Sequence, residues 1–128
     1  MRRNVLIDTH ILIWFRGAPE RLRDAELRVI HGAANCFVST VSLWEIALLT
    51  SRGRLDPDDR LMEPPFGMRL LKLEASHCKE VIHLPHIHRD PFDRMLIAQA
   101  RAEQLTLISR DSAVQKYAQA GVLDVLAN

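Results

Sequence analysis

Four acidic residues in this 128-residue chain stand among apolar neighbours, where an ionised carboxylate is costly to bury. Asp8 follows the run VLI, Glu45 lies inside SLWEIALL, Asp93 precedes RMLIAQA, and Asp111 follows LTLIS. A buried carboxylate loses several kcal/mol of hydration unless a positive group replaces the water. If the four side chains converge, they form a cluster that requires a counterion.

Divalent cations with oxygen ligands, Mg²⁺ or Mn²⁺, are the natural counterions for such a cluster. Two ions would neutralise four negative charges, although the sequence leaves open whether one or two are bound. Ions held this way activate a water molecule and stabilise an in-line displacement at phosphorus. Zinc is disfavoured, because no Cys or His ligands accompany these acids at a recognisable spacing.

Glu45 lies in a segment that is expected to form a helix from Val41 to Arg52. Its neighbours on the same face are Val41, Leu48 and Leu49. The segment is apolar nearly all round, which is typical of a buried helix. For Glu45 taken alone, a position on a thin solvent-facing strip is the alternative.

Helix capping offers a structural role for the acids near the C-terminal half. Asp90 precedes Pro91, so it is expected to cap a helix in which Asp93 is the third residue. Acidic residues favour the first turn of a helix, which accounts for Asp93 without any function. Asp111 could likewise cap a helix that begins at Ser112. Against this, Asp93 shares a helix face with apolar residues and should lean toward the interior.

Short β-forming runs alternate with segments of helical spacing, which predicts a mostly parallel sheet with helices on its faces. The predicted strands are residues 4–7, 36–39, 69–73, 105–108 and 122–126. The predicted helices are residues 20–31, 41–52, 57–63, 75–82, 91–104 and 112–120. Ligands of such sheets bind beyond the carboxyl ends of the strands. Asp8 and Asp111 each follow a strand and are therefore expected at the same rim.

The composition is that of one ordinary globular domain, expected to span residues 1–128, with 48% hydrophobic residues. A net charge of +1 excludes a global electrostatic attraction to nucleic acid or membrane. Cys36 and Cys78 are too few and too far apart for a disulfide scaffold, so a reduced, cytoplasmic location is expected. No apolar run approaches the roughly 18 residues of a membrane span.

Four segments match a known pattern in the same order along the chain: VLIDTHILIW, VSLWEIALLTSRGRL, HRDPFDRMLIAQA and LTLISRD. In them the sequence resembles the PIN-domain nucleases, and among these the VapC-like toxins of type II toxin-antitoxin pairs. The resemblance implies an α/β/α sandwich with a central, mostly parallel sheet of about five strands. It also implies an Mg²⁺- or Mn²⁺-dependent endoribonuclease in which Asp8, Glu45, Asp93 and Asp111 are the catalytic and metal-binding residues.

The resemblance further suggests supporting residues. A small hydroxyl residue two positions before the last aspartate falls on Ser109, where it could bind a water molecule at the metal. Thr9 is next to Asp8 and either supports that ligand or belongs to an ordinary turn. Toxins of this kind usually form homodimers and are inhibited by a small antitoxin protein, so RNA, an antitoxin and a second copy are the expected partners.

Arginines are the candidates for binding the RNA phosphates. Many relatives carry a lysine four residues after the glutamate, where this chain has Leu49, so Arg52 or Arg54 is expected to supply that charge. Arg94 and Arg110 are next to proposed ligands and either bind phosphate or are ordinary surface residues. The sequence does not identify the RNA that is cleaved.

Other side chains have weaker functional interpretations. His83, His86 and His88 lie in a proline-marked loop, and polar loop positions or RNA contacts are favoured over metal binding because no tetrahedral set is complete. Trp14 and Trp44 could stack on bases, but core packing is favoured for both.

Two function classes compete with the nuclease hypothesis. A receiver-type phosphoacceptor domain has a similar length and sheet, but it requires paired acids after the first strand and a lysine after the last. Here Asp8 stands alone and no lysine follows Lys116. A non-catalytic binding module that uses the acids for structure is the second alternative.

Overall fold

Four strands, separated from one another by one or more helices, lie within residues 2–126, the part of the chain that the computed structural model describes. The strands are β1 (Asn4–Ile7), β2 (Asn35–Ser39), β3 (Arg69–Leu71) and β4 (Thr106–Ile108). The helices are α1 (Thr9–Gly17), α2 (Asp24–Gly32), α3 (Thr40–Ser51), α4 (Ala75–Ile82), α5 (Pro91–Ala102) and α6 (Ser112–Gln119). Short 3-10 helices cover Pro19–Arg21 and Asp59–Met62.

The strands form one parallel sheet in the order β3-β2-β1-β4. The central strand β1 places Leu6 beside Phe37 of β2 on one side and Leu107 of β4 on the other. Because the strands are parallel, their carboxyl ends lie at the same edge, which we call the rim. The chain leaves β1 at Asp8 and β4 at Ser109, so both segments begin at the rim.

The prediction of a fifth strand at residues 122–126 is wrong. The segment forms only a parallel bridge between Val125 and Leu107. Two hydrogen bonds hold it, from the Leu107 N–H to the Asp124 carbonyl and from the Leu126 N–H to the Leu107 carbonyl, both at 2.9 Å. The chain turns at Gly121, where φ is 77°, and first reaches β4 at Asp124. The described chain therefore forms only this short bridge to β4 and not a strand pairing over several residues.

Apolar side chains alternate between the two faces of β1, as expected for a strand that is covered on both sides. Leu6 belongs to a cluster with Ile97 of α5 and Tyr117 of α6. Val5 and Ile7 belong to a second cluster on the other face, which includes residues of α1, α2 and α3. The predicted three-layer α/β/α sandwich is therefore confirmed, with four strands in place of five.

Helix α1 was not among the predicted helices. Its sequence, THILIWFRG, contains β-branched and aromatic residues that have modest helix propensity and resemble a continued strand. In the fold, Asp8 caps the helix by accepting a hydrogen bond from the Ile11 N–H at 2.9 Å. Ile11 and Leu12 are fully buried against the sheet. Capping and burial together outweigh the local preference.

Helix α3 differs from its prediction in burial rather than in position. Its apolar sequence indicated a helix that is buried all round, but Trp44 is 59% exposed and Ala47 is exposed as well. Only Val41, Ser42 and Ile46 are buried. An apolar periodicity cannot distinguish a covered face from one left open, because the covering elements are distant in sequence.

A row of buried polar side chains joins α3 to α5 and α4. The Ser39 hydroxyl caps α3 by accepting from the Val41 N–H at 3.0 Å, and it donates to Gln99 Oε1 at 2.6 Å. Gln99 Nε2 lies 3.4 Å from His77 Nδ1, and His77 Nε2 lies 2.9 Å from Glu103 Oε1. Ser39, Gln99 and His77 are all fully buried. This row sets the position of α3 relative to α5.

Both cysteines are free, as expected for a chain without a disulfide scaffold. Burial raises the pKa of the Cys36 thiol to about 12, so it behaves as an apolar core residue. Within residues 2–126, none of the helices combines the length and hydrophobicity that crossing a membrane would require.

We expect Gln99→Leu to lower the free energy of unfolding by about 1–3 kcal/mol, because the buried Ser39 hydroxyl loses its acceptor. Urea unfolding followed by circular dichroism measures the change. Gln119→Leu, at an exposed position near the end of α6, is the matched control and should change stability by less than about 0.5 kcal/mol. Equal stability of Gln99→Leu and the wild type would show that the row does not stabilise the fold.

Candidate functional site

Asp8 lies at the rim, directly after β1, and is only 6% exposed. Burial raises the pKa of its carboxyl group, and the charge of Asp111 raises it further. Hydrogen bonds from the Ser109 side chain and the Ile11 N–H, together with the charge of His10, act in the opposite direction. Asp8 is thus a buried carboxylate held by neutral donors, without a salt bridge to a Lys or Arg within the described residues.

Glu45 projects from α3 toward the same region. Its Oε1 atom is buried and has no hydrogen-bond partner in the described chain. Burial raises the pKa of Glu45, and the charges of Asp90 and Asp8 raise it further, whereas the Thr9 hydroxyl and His10 lower it. A thin solvent-facing strip would leave this oxygen hydrated, so the structure favours the buried interpretation of Glu45.

Asp93 is in the first turn of α5, where capping was the alternative to function. Asp90 is the N-cap, as predicted, and its Oδ1 accepts from the N–H groups of Phe92 at 2.8 Å and Asp93 at 3.4 Å. The cap therefore leaves the Asp93 carboxylate free for other contacts. Burial raises the pKa of Asp93 to about 6, with a hydrogen bond from His88 opposing and the charges of Asp90, Asp111 and Asp8 adding to the rise.

Asp111 is an exposed residue that caps α6. Its Oδ1 accepts from the N–H groups of Ala113 at 2.8 Å and Val114 at 3.2 Å, so the predicted capping role is confirmed. Its charge nevertheless raises the pKa of both Asp8 and Asp93. Asp111 is therefore both the N-cap of α6 and an exposed, charged neighbour of Asp8 and Asp93.

The four acids predicted from the sequence are thus brought into one electrostatic neighbourhood. Within residues 2–126, no Lys or Arg forms a salt bridge with Asp8, Glu45 or Asp93. Burial and the charges of neighbouring acids raise the pKa of Asp8, Glu45 and Asp93, and Glu45 has a buried oxygen without a hydrogen-bond partner in the described chain. A divalent cation with oxygen ligands would satisfy that oxygen and offset the repulsion, so this set of donors fits Mg²⁺ or Mn²⁺.

The two hydroxyl residues named from the sequence are both buried beside these acids. Ser109 is 2% exposed, accepts from the Asp111 N–H at 3.2 Å, and lowers the pKa of Asp8 by hydrogen bonding. Thr9 is also 2% exposed and donates to Ser42 of α3 at 3.0 Å. The Thr9 contact joins α1 to α3 close to Glu45, and a supporting role of the two hydroxyl residues at the acids stays a prediction.

Arg94 and Arg110 have partners within the chain. Arg94 Nη1 donates to the Pro85 carbonyl at 2.9 Å and to the Tyr117 hydroxyl at 2.8 Å. Arg110 Nε donates to Glu26 Oε2 at 2.8 Å, and the charge of Arg110 lowers the pKa of Glu26. Arg94 thus connects α5 to the preceding loop and to α6, and Arg110 connects the segment after β4 to α2. Phosphate binding by these two residues stays a prediction.

Arg52 and Arg54 lie at and beyond the C-terminal end of α3, where both are exposed. Arg52 is seven residues from Glu45, which corresponds to about 10 Å along a helix. The structure therefore places these two arginines outside the immediate acidic cluster, and their predicted contact with substrate is not tested by it.

Two site residues were missed by the sequence analysis. The ligand atoms of His88, Asp90 and Asp93 all lie within 4.8 Å of one another. Asp90 was assigned only to capping, and for His88 a polar loop position or an RNA contact was favoured over metal binding. All three residues occur in the run HRDPFD, so the sequence does place them close together along the chain. His88 contacts Asp93, five residues later, only because the loop turns back onto α5.

A cavity of about 240 Å³ opens beside Asp8 and Asp111. It is also lined by His10, Trp14 and Arg110. The Arg110 guanidinium lies 4.7 Å from the centre of the Trp14 ring, a cation-π contact. The cavity therefore combines an acidic wall with an aromatic and cationic wall, which suits a ligand that carries both a ring and a charge.

A second aromatic pair consists of exposed Trp44 and half-buried Phe92. The Trp44 ring centre lies 4.9 Å from that of Phe92 in an edge-to-face arrangement of 67°. Trp44 precedes Glu45, and Phe92 precedes Asp93. Core packing was favoured for Trp44, and this was wrong, because the side of α3 that carries Trp44 has no covering element in the described chain beyond its contact with Phe92.

Comparison with known proteins places this geometry in context. The curated protein Ribonuclease VapC22 of Mycobacterium tuberculosis is 25% identical over 118 residues, which cover 88% of this chain and 91% of that protein. Three solved structures share the fold, each covering 96% of this chain. They are VapBC2 from Rickettsia felis bound to a DNA fragment from its promoter (TM-score 0.71, 12% identity, 97% of that chain), FitAcB from Neisseria gonorrhoeae (0.64, 16%, 96%) and a toxin-antitoxin complex from Klebsiella pneumoniae (0.62, 15%, 96%).

The family comparison covers nearly the whole of the described fold. The model described as PIN domain matches residues 5–120, which include all four predicted acids and all of the four strands except Asn4, the first residue of β1. A match over most of the chain agrees with the parallel sheet and the acidic rim found in the structure. The protein therefore belongs to the PIN domain family.

Proposed function

We propose that this protein is a divalent-cation-dependent endoribonuclease and the toxin of a toxin-antitoxin pair. The observation that carries the proposal is the electrostatic coupling of Asp8 to Glu45 and Asp93, together with a buried Glu45 oxygen that has no hydrogen-bond partner in the described chain. Membership of the PIN domain family and the similarity to a protein named Ribonuclease VapC22 support the choice of a ribonuclease.

In this proposal Asp8, Glu45, Asp93 and Asp111 hold Mg²⁺ or Mn²⁺. When bound, such an ion lowers the pKa of water and stabilises negative charge on a phosphate group. The chain's own contribution is orientation: Ser109 and the Ile11 N–H hold Asp8, and the cap at Asp90 fixes the start of the helix that carries Asp93.

The reaction is hydrolysis of an RNA phosphodiester. A water oxygen forms a bond to phosphorus, the bond from phosphorus to one ribose oxygen breaks, and that oxygen takes up a proton. The acids must be ionised to bind a cation and to accept the proton that the water loses. The raised pKa values of Asp8, Glu45 and Asp93 make each of these three a better proton acceptor than a fully hydrated carboxylate.

Local features, rather than net charge, must hold the RNA, since the chain carries only +1 overall. Exposed Trp44 offers an aromatic face on which an unpaired base can stack. Bases are accessible in this way mainly in single strands and loops. Of the arginines, Arg52 and Arg54 are exposed and available for phosphate, whereas Arg94 and Arg110 are held by internal partners.

The expected protein partners follow from the relatives. The structure from Klebsiella pneumoniae is itself described as a toxin-antitoxin complex. We propose that an antitoxin binds this chain and that the toxin is a homodimer in the cytoplasm. Gel filtration with multi-angle light scattering measures the oligomeric state directly.

The first prediction concerns cleavage itself. The wild type should cut single-stranded or looped RNA with Mg²⁺ or Mn²⁺, and excess EDTA should abolish cutting. Asp8→Asn should reduce the rate by at least about 100-fold, because the buried ligand loses its charge. Asp56→Asn, at an exposed position in the loop after α3, is the matched control. Undiminished cleavage by Asp8→Asn or in EDTA would reject the proposed metal-dependent site, whereas RNA binding without cleavage by the wild type would favour a binding module.

The second prediction concerns stability without metal. The pKa of Asp93 is raised above its unfolded value, so its contribution to stability is full at acidic pH and is lost as pH rises through about 6. Asp93→Asn should therefore be more stable than the wild type at pH 7.5 in EDTA, by on the order of 1–3 kcal/mol. Glu45→Gln should shift stability in the same direction.

Thermal melts with and without Mn²⁺ measure this effect. Added Mn²⁺ should stabilise the wild type, because an ion that binds only the folded protein raises its stability. It should have little effect on Asp93→Asn, because this variant lacks one of the proposed carboxylate ligands. The difference in EDTA should shrink as the pH is lowered toward 4. A clear loss of stability in both variants at pH 7.5 would mean that the two acids are structural.

The third prediction concerns Trp44. Trp44→Ala should weaken binding of single-stranded RNA by about 5-fold to 100-fold, the loss expected for one stacked base, and raise KM much more than it changes kcat. Trp44→Phe should retain most of the affinity. Phe66→Ala is the control, because Phe66 is fully exposed but lies near Asn35 and Cys36, at the opposite end of β2 from the rim. Equal losses in both alanine variants would exclude a specific stacking site.

A further inference from the structure

His88 lies against the acidic cluster rather than in a solvent-facing loop. Its Nε2 atom is 2.8 Å from Asp93 Oδ2, and its side chain is 21% exposed. The ligand atoms of His88, Asp90 and Asp93 fall within 4.8 Å of one another. No other group of three or more His, Cys, Asp or Glu residues between positions 2 and 126 has its ligand atoms so close together.

The loop that carries His88 is fixed by contacts that do not involve the imidazole. The buried Tyr117 hydroxyl accepts from the backbone N–H groups of His88 at 3.0 Å and Ile87 at 3.3 Å, and it donates to the Pro85 carbonyl at 2.9 Å. Arg94 also donates to this hydroxyl, at 2.8 Å. The ring is therefore presented to Asp93 by a rigid backbone, and a substitution at position 88 leaves these contacts intact.

The geometry of the three residues is that of neighbouring ligands. Two ligand atoms at about 2.1 Å from an octahedral ion, on adjacent positions, are about 3 Å apart. The separation of 2.8 Å between His88 Nε2 and Asp93 Oδ2 is close to this value. Asp90 caps α5 through Oδ1, so Oδ2 can contribute an oxygen without loss of the cap.

The presence of an imidazole changes which ion such a site prefers. Carboxylate and water oxygens suit Mg²⁺, whereas imidazole nitrogen binds first-row transition ions more strongly. The four predicted acids alone form an all-oxygen set, for which Mg²⁺ and Mn²⁺ are nearly equivalent. One nitrogen added to that set favours the transition ion.

We propose that His88 supplies a nitrogen ligand, beside Asp93 and Asp90, to the ion of this site and thereby makes the site select Mn²⁺ over Mg²⁺. The proposal rests on the metal centre of the proposed function and adds to it a residue that sets metal specificity. A histidine that only hydrogen-bonds to Asp93 would orient the acid but would have no direct bond to the ion.

Pulsed EPR on the full-length protein loaded with Mn²⁺ tests the proposal without RNA. Directly bound imidazole produces a nitrogen modulation from its coupling to the Mn²⁺ electron spins. The modulation should appear in the wild type, disappear in His88→Asn and remain in His86→Asn, the matched control at an exposed position of the same loop. Its absence from the wild type overturns the proposal. Its persistence in His88→Asn does so as well, and would assign the nitrogen to another residue such as His10.

Metal titrations give a second measure. His88→Asn should lower Mn²⁺ affinity by about 10-fold or more and change Mg²⁺ affinity by less than about 3-fold, because an amide oxygen replaces the nitrogen. An unchanged ratio of the two affinities overturns the proposal. Asp8→Asn distinguishes a failure of the proposed function from a failure of the role of His88. If Asp8→Asn binds Mn²⁺ as tightly as the wild type does, the proposed acidic metal centre is rejected. If Asp8→Asn loses Mn²⁺ affinity but His88→Asn keeps the wild-type ratio of Mn²⁺ to Mg²⁺ affinity, only the role of His88 is rejected.

Discussion

Repulsion among carboxylates at one rim of a parallel sheet is the interaction around which this protein is organised. Asp8, Glu45 and Asp93 all have raised pKa values, with burial as the first cause and the charges of neighbouring acids adding to it. Such a cluster persists only if the fold supplies compensation. Three helices, α1, α5 and α6, begin at this rim with aspartate caps, and their positive N-terminal ends offset part of the charge. Capping and function are therefore compatible roles for the same aspartates.

Rigid connections hold the elements that carry the acids. The Ser39–Gln99–His77 row ties the start of α3 to α5, and the Thr9–Ser42 hydrogen bond ties α1 to α3. The Tyr117 hydroxyl fixes the loop before α5. These buried polar contacts link the helices that bring Glu45 and Asp93 to the rim. A small domain can in this way keep mutually repelling groups in place, because each helix that carries an acid is also held by hydrogen bonds between uncharged groups.

The side chains around the acids include aromatic rings and an arginine that is already ion-paired, rather than a row of free basic residues. The guanidinium group of Arg110 is held by Glu26 and lies over Trp14, so its charge is shared before any substrate is present. Trp44, the residue before Glu45 in the sequence, presents an exposed ring. Aromatic surface and a cation at the acidic site, rather than a large net charge, therefore characterise these surroundings in a chain of net charge +1.

What the sequence alone determined was local: the alternation of strands and helices, the cap at Asp90, and the four acids that follow strands or lie on apolar helix faces. These depend on residue spacing and on groups a few residues apart, which a sequence displays directly. The tertiary structure alone decided that residues 122–126 meet β4 at a single bridge, that Thr9–Gly17 forms a helix, that Trp44 is exposed, and that His88 contacts Asp93. Each of these depends on which distant segment covers a surface or turns back onto it, and packing between segments has no local spacing from which it can be deduced.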